Sequence, residues 1–350
     1  MERKSANVRG RGAGVNPVGR FERLRVVSDQ PPPERVITEL RRDSSRSIIA
    51  RNDSPDIPFD ASINPYRGCE HGCSYCYARP THEYLGFSPG LDFESKILVK
   101  ENAAELLRRE LSAPRWRPQT LALSGVTDPY QPAEERLRIT RGCLEVLAEA
   151  RHPVVVVTKS ARVLRDLDLL TQLARYRAAA VCLSITTLDG ELAARLEPRA
   201  SHPRRRLEAL RRLSDAGVPC GVLMSPIVPG LTDHEIPTLL AAASEAGAGF
   251  AGYLILRLPG AVGELFEDWL ERHYPERKDK VLNRLRSMRD GRLNDPRFGH
   301  RFRGQGAFAE QIRDLFHGHR RRLGLDRRGV ELSTAAFRRP PGRQRTLFDL

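Results

Sequence analysis

Three cysteines, Cys69, Cys73 and Cys76, crowd into eight positions of the segment NPYRGCEHGCSYCY, which runs from Asn64 to Tyr77. If the six cysteines of the 350-residue chain were scattered at random, one with others at +4 and +7 would arise with a chance of about 0.002. Thiolates are soft ligands that favour zinc or an iron–sulfur cluster. A structural zinc needs a fourth ligand, which His71 or His82 could supply. An iron–sulfur cube held by three cysteines instead leaves one iron open to a small molecule. The remaining Cys143, Cys182 and Cys220 lie far apart in helix or strand patterns and read as small buried hydrophobes. Six cysteines so arranged exclude a disulfide scaffold.

A loop of this kind needs rigid elements around it. From about residue 60, short apolar runs alternate with amphipathic stretches, which is how parallel βα units read. Strands are expected at Ser62–Tyr66, Thr120–Ser124, Val154–Thr158, Val181–Thr186, Cys220–Pro226 and Gly252–Leu256. Helices are expected at Glu101–Leu111, Glu134–Ala150, Ala161–Tyr176, Pro203–Ala216 and Asp233–Ala246, the last capped by Thr232 or Asp233. Gly217 sits where a helix-terminating glycine belongs. Six strands alternating with helices predict an α/β fold with a curved parallel sheet, a partial barrel. Beyond residue 260 the strands stop, and helices are expected around Val262–Arg272, Arg277–Arg289 and Ala307–Leu323.

Charge divides the chain differently. Of 58 Lys/Arg and 44 Asp/Glu, residues 1–51 hold twelve and six, residues 277–350 twenty and eight, and the middle 26 and 30. The reading is therefore a basic Gly/Pro-rich segment over 1–51, extended or flexible, a barrel over 52–260, and a basic helical region with a disordered tail over 261–350. Such asymmetry suits a polyanionic partner, although an Arg-biased composition would give it too. No apolar stretch is long enough to span a bilayer, and the Arg-rich start lacks the apolar segment of a signal peptide, so a cytoplasmic protein is expected.

The cysteine loop after a first strand resembles the radical S-adenosylmethionine superfamily, whose CxxxCxxC loop follows the first strand of a partial (βα)6 barrel. That resemblance implies a [4Fe-4S] cluster on Cys69, Cys73 and Cys76, S-adenosylmethionine docked on the open iron, a 5′-deoxyadenosyl radical, and an electron donor such as flavodoxin or ferredoxin. More narrowly, Cys73 to Tyr77, Ser124 to Pro129 (SGVTDP), Thr158-Lys159-Ser160 and Ser184 are similar to the bacterial branch related to spore photoproduct lyase. Carried over, the likeness implies Tyr75 and Tyr77 near the reacting centre and Thr127, Lys159 and Ser184 on the cofactor. It also gives Glu197 and Arg206 as a weaker polar pair, for which a solvated salt bridge is the competing reading. Gly125 departs from the pattern. It stands where the lyase branch carries a hydrogen-donating cysteine, so the lyase reaction itself does not transfer.

The expected function is thus radical chemistry on nucleic acid, in repair or modification. Radical modification of a peptide or small molecule, and a non-catalytic metal-stabilised nucleic-acid-binding module, are the alternatives. Arg301 to Phe308, RFRGQGAF, is either a grip on a phosphate backbone or a turn before a helix. Gln344, Leu347 and Phe348 in QRTLF are similar to peptides that dock on the sliding clamp.

Overall fold

The computed structural model of the chain describes residues 8–22, 34–123, 125–326 and 331–341. Ser124 and the tail residues Gln344, Leu347 and Phe348 lie outside the described residues. Six parallel strands form the sheet: β1 (Ala61–Ile63), β2 (Leu121–Leu123), β3 (Val154–Thr158), β4 (Ala179–Ser184), β5 (Cys220–Ile227) and β6 (Phe250–Ile255). They lie in sequence order, with the short strand Ile49–Arg51 antiparallel to β1 at the far edge. The register runs Ala61↔Leu121, Leu121↔Val154 and Val154↔Ala179, so the strand starts are level and their C-terminal ends open on one face. The two outer strands do not pair with each other, and the sheet stays an open, partial barrel.

The sequence explains this layout. The β-branched run of β3 and the wholly buried β4 are what strands covered on both faces require. Helices α1 (Ala103–Ser112), α2 (Ile139–Ala150), α3 (Leu167–Ala174), α4 (Pro203–Asp215) and α5 (Ile236–Glu245) make the crossovers. Gly217 follows α4 at φ +73°, a conformation that glycine adopts without a Cβ penalty. The expected helix Glu134–Ala150 is broken at Arg138, which is left-handed at φ +53°. The break lets the buried Glu134 carboxylate turn back onto the Thr140 amide at 3.0 Å and cap α2. Thr232 and Asp233 do not cap α5 through their side chains. The Thr232 hydroxyl accepts from the Val228 amide at 2.9 Å, and Asp233 takes the Gly230 amide at 2.8 Å.

Three further helices follow: α6 (Val262–His273), α7 (Pro275–Ser287) and α8 (Ala307–Arg322). Their apolar faces share one core with the sheet, in which Phe266, Trp269, Leu285 and Phe316 are buried with Ile255 and Leu325. The free edge of β6 is covered by main chain, since the Ala251 amide donates to the Leu325 carbonyl and the Ile255 amide to the Phe302 carbonyl. An uncovered edge strand is a template for aggregation, and this cover removes it. Among the described residues no helix is long and apolar enough to cross a membrane.

The described part of the N-terminal segment is packed, running through turns over residues 8–22 and forming short strands after residue 38. Val8 and Ala13 are buried against Leu91 and Leu265, and Glu39–Arg42 pairs in parallel with Lys96–Val99. Alternation of apolar residues is absent from residues 8–22 because glycine contacts and buried polar bonds, described below, fix the segment instead.

Trp269 joins the C-terminal helices to the barrel, stacked on Phe266 at 5.4 Å and donating its indole N–H to the Arg195 carbonyl at 2.9 Å. Trp269→Ala should lower unfolding stability by about 3–5 kcal/mol, measured as a shift of the urea midpoint.

Candidate active site

The cysteine loop leaves the C-terminal end of β1 and is bent by Gly68 (φ +81°) and Gly72 (φ +66°). A Cβ on Gly68 would come within 2.9 Å of the Phe93 carbonyl, so only glycine fits this turn. Cys69 and Cys73 are buried and Cys76 is half-buried. Arg79 and Glu94, both fully buried, hold the loop from below as an ion pair. The Arg79 guanidinium donates to the Cys73 carbonyl at 2.7 Å and 3.1 Å and to the Pro89 and Gly90 carbonyls. Glu94 also accepts the Gly12 and Ala13 amides at 3.0 Å and 2.9 Å.

Residues 8–13 therefore lie as a strap over the loop. A Cβ on Gly12 would stand 1.9 Å from the Gly72 carbonyl oxygen, and buried Arg11 reaches the Val36 carbonyl and the Thr38 hydroxyl. Glu70 completes the cradle, accepting from Thr38 and Arg199, while its amide donates to the Gln131 side chain at 2.9 Å.

Burial pushes all three thiols above the ordinary cysteine value, with neighbouring carboxylates or thiols adding to the effect. Backbone N–H groups of Asp128 and Ala78 act in the opposite sense on Cys69 and Cys76. Three thiols that resist ionisation alone, yet have amides aimed at two of them, suit a metal centre whose positive charge makes the thiolates stable. Among the described residues no three ligand side chains converge as they would around a single ion. A cube requires no such convergence, because each thiolate takes its own iron. His82 packs between Phe87 and Phe93, and its Nε2 meets the Lys96 carbonyl at 2.9 Å. His71 is buried with Nδ1 3.3 Å from Asp128 and Nε2 without a partner among the described residues.

Beside the loop lies a second polar centre at the ends of β3 and β4. Glu197 and Arg206 form an ion pair with both side chains about 1% exposed, which replaces the solvated reading of this pair. Lys159 Nζ lies 3.2 Å from Glu197 and donates to the Ser225 carbonyl at 2.8 Å. Tyr75 donates its hydroxyl to the same carboxylate, and Thr186 does so at 2.7 Å. Arg206 reaches the Ser184 carbonyl at 2.8 Å. Burial alone would push the Glu197 carboxyl up; Arg206, Lys159 and the two hydroxyls outweigh it and hold it below the ordinary range. Asp128 behaves alike, with burial overcome by His71, the Thr158 hydroxyl and the Lys159 amide.

The expected residues thus divide. Tyr75, Lys159, Ser184, Glu197 and Arg206 meet in one network. Thr127 is buried with its hydroxyl 3.5 Å from the Tyr66 carbonyl, on the other side of the loop. Tyr77 is 46% exposed and donates its hydroxyl to the Gly125 carbonyl. Sequence reasoning missed Arg79, Glu94, Gln131 and Asp128. Arg79 carried a signal, a lone charge directly after SYCYA, whereas Glu94 and Gln131 carried none that distinguishes them from surface residues.

Residues 63–243 match the family model described as Radical SAM superfamily. An uncharacterized protein of Mycobacterium tuberculosis is 39% identical over 66% of this chain and 68% of its own length. One from Methanocaldococcus jannaschii is 29% identical over 63% and 79%. Among solved structures, a cysteine-to-serine mutant of spore photoproduct lyase superposes with a TM-score of 0.59 at 15% identity, covering 86% of this chain and 85% of that one.

Two outcomes test this geometry. Glu197→Gln leaves Arg206 and Lys159 uncompensated and should cost about 3–5 kcal/mol at neutral pH. Since the folded carboxylate titrates below the ordinary 4.5, its contribution is present above that pH and fades as pH falls below it. The difference between parent and variant in urea unfolding should therefore shrink between pH 7 and pH 3. Gly12→Ala should dislodge the strap, seen as trypsin cleavage after Arg11 at least about tenfold faster than in the parent.

Proposed function

The chain belongs to the radical S-adenosylmethionine superfamily, and we propose on that footing that Cys69, Cys73 and Cys76 hold a [4Fe-4S] cluster at the mouth of the barrel, in an enzyme acting on nucleic acid. The observation that carries the reading is the pairing of three cysteines, two buried and one half-buried, on a glycine-bent loop with a buried, charge-compensated network one strand away. When bound, the cluster and S-adenosylmethionine would supply one-electron cleavage of a carbon–sulfur bond. The chain's own residues supply placement and exclusion of water.

Tyr75 and Tyr77 take different roles in this reading. The Tyr75 hydroxyl is committed to Glu197 inside the protein, so it braces the loop against the carboxylate. Tyr77 is exposed at the mouth and anchored on Gly125, the position at which a thiol is missing; it is the tyrosine that faces a substrate. Lys159, already shared between Glu197 and the Ser225 carbonyl, lies beside the loop and can meet an amino-acid carboxylate by exchanging one of those bonds. Ser184 is the last residue of β4 and Thr127 lies in the loop that follows β2, both on the side where ligand-contacting residues of parallel sheets lie. The basic flanks, and solved spore photoproduct lyase complexed with a dinucleoside photoproduct on a similar fold, support nucleic acid as the substrate class.

Anaerobic reconstitution with iron and sulfide, reduction and assay for 5′-deoxyadenosine tests the proposal. The parent should form a four-iron cluster and the product. Cys76→Ala should lose the intact cluster and at least about a hundredfold of product formation, as loss of one ligand does to a centre held by only three. Stoichiometric zinc with no product would overturn the reading.

A further inference from the structure

Beyond the cofactor network, the structure places a second set of cations at the mouth of the barrel. Arg257 follows β6 by two residues, and its guanidinium is sandwiched between Tyr77 at 5.0 Å and Phe302 at 5.1 Å from the ring centroids. Arg301 continues the ladder over Phe302 at 4.6 Å and Phe298 at 4.8 Å. Arg301 is neutralised, with Nε 2.7 Å from Asp56. Arg257 is not: among the described residues it makes no hydrogen bond and has no carboxylate within ion-pair distance. Stacking occupies the two faces of a guanidinium and leaves its N–H edge unspent.

An independent observation lies directly behind it. Among the described residues Arg289, 1% exposed, donates one long bond, 3.4 Å to the Ile255 carbonyl, while its Nε and Nη1 are buried without partners. Burial pushes this guanidinium down to about 10; the Asp295 carboxylate opposes that shift without accepting a hydrogen bond from it, and Arg257 adds to it. Asn294, next to the Leu293 carbonyl that meets the Leu258 amide, leaves its side-chain oxygen unpartnered as well. Buried guanidinium N–H groups without acceptors are costly, and an anion at the nearby mouth would lower that cost.

We propose that Arg257, with the buried charge of Arg289 behind it, forms a substrate subsite for one phosphodiester of a nucleic-acid strand, with the neighbouring base stacked on the exposed ring of Tyr77. The assignment rests on the nucleic-acid reading above and adds the place where the strand is gripped. The subsite joins a flat aromatic face to an N–H edge, the two features that a nucleotide presents in complement as a base and a phosphate. Tyr77 belongs to the cysteine loop, so a base on its ring lies next to the reacting centre. Because the subsite sits at the barrel mouth, a base must leave its stack to enter, which favours single-stranded or locally opened substrate.

Fluorescence anisotropy of the reconstituted holoenzyme with a labelled single-stranded oligodeoxynucleotide, over a series of chloride concentrations, tests the subsite. Arg257→Gln should weaken binding about tenfold or more and reduce the salt slope by about one. Phe302→Leu removes one side of the sandwich and should weaken binding in the same direction. Arg211→Gln, on the outer face of α4, should leave it within about twofold. If Arg257→Gln melts with the parent and binds equally well, the subsite is wrong. Should that variant not fold, Arg257→Lys decides, since it keeps the charge and loses the planar fork; parent-like affinity then overturns the stacked assignment. Displacement of the strand by inorganic phosphate at constant ionic strength would show a general anion site and overturn the strand assignment. A parent that forms 5′-deoxyadenosine yet binds no oligonucleotide overturns the nucleic-acid reading and the subsite while leaving the radical chemistry standing.

Discussion

The buried ion pair of Arg79 and Glu94 is the constraint on which the site depends. One guanidinium fixes three carbonyls of the cysteine loop and its return, and one carboxylate receives the amides of the N-terminal strap. Two charges withdrawn from water are costly, and here each is surrounded by main-chain groups that would otherwise be unpaired. The pair thus gives less in net stability than in definition. It allows a loop of three cysteines and two left-handed glycines to adopt one shape.

A second carboxylate, Glu197, repeats the arrangement one strand away. It gathers Arg206, Lys159, Tyr75 and Thr186 into a network that links β3, β4, α4 and the cysteine loop. The loop is therefore held from both sides, by Glu94 below and by Glu197 through Tyr75. What is rigid is the surround of the thiols; what is open is the rim, where Tyr77 and Arg257 reach solvent.

The six strands were legible because their β-branched and apolar runs are short, buried and evenly spaced, and the cysteine loop was legible because three thiols at that spacing have few other uses. Solvent exposure was not. Glu197 and Arg206 read as easily as a surface pair, since nothing in the sequence states that both side chains lie inside. The strap was hidden for a different reason: its order comes from Gly12 against Gly72 and from backbone amides on Glu94, contacts without any hydrophobic period. The RFRGQGAF segment forms the turn before α8 that was one of its two readings. It is a turn whose Phe302 carbonyl covers the β6 edge, and it carries the rings and the cation of the ladder, although Arg301 is already taken by Asp56.

The close approach of Gly12 to the Gly72 carbonyl also bears on how the thiols are reached. A strap that touches the backbone between Cys69 and Cys73 covers the loop on that side, so any reagent for these thiols must arrive through the barrel mouth or wait until the segment lifts.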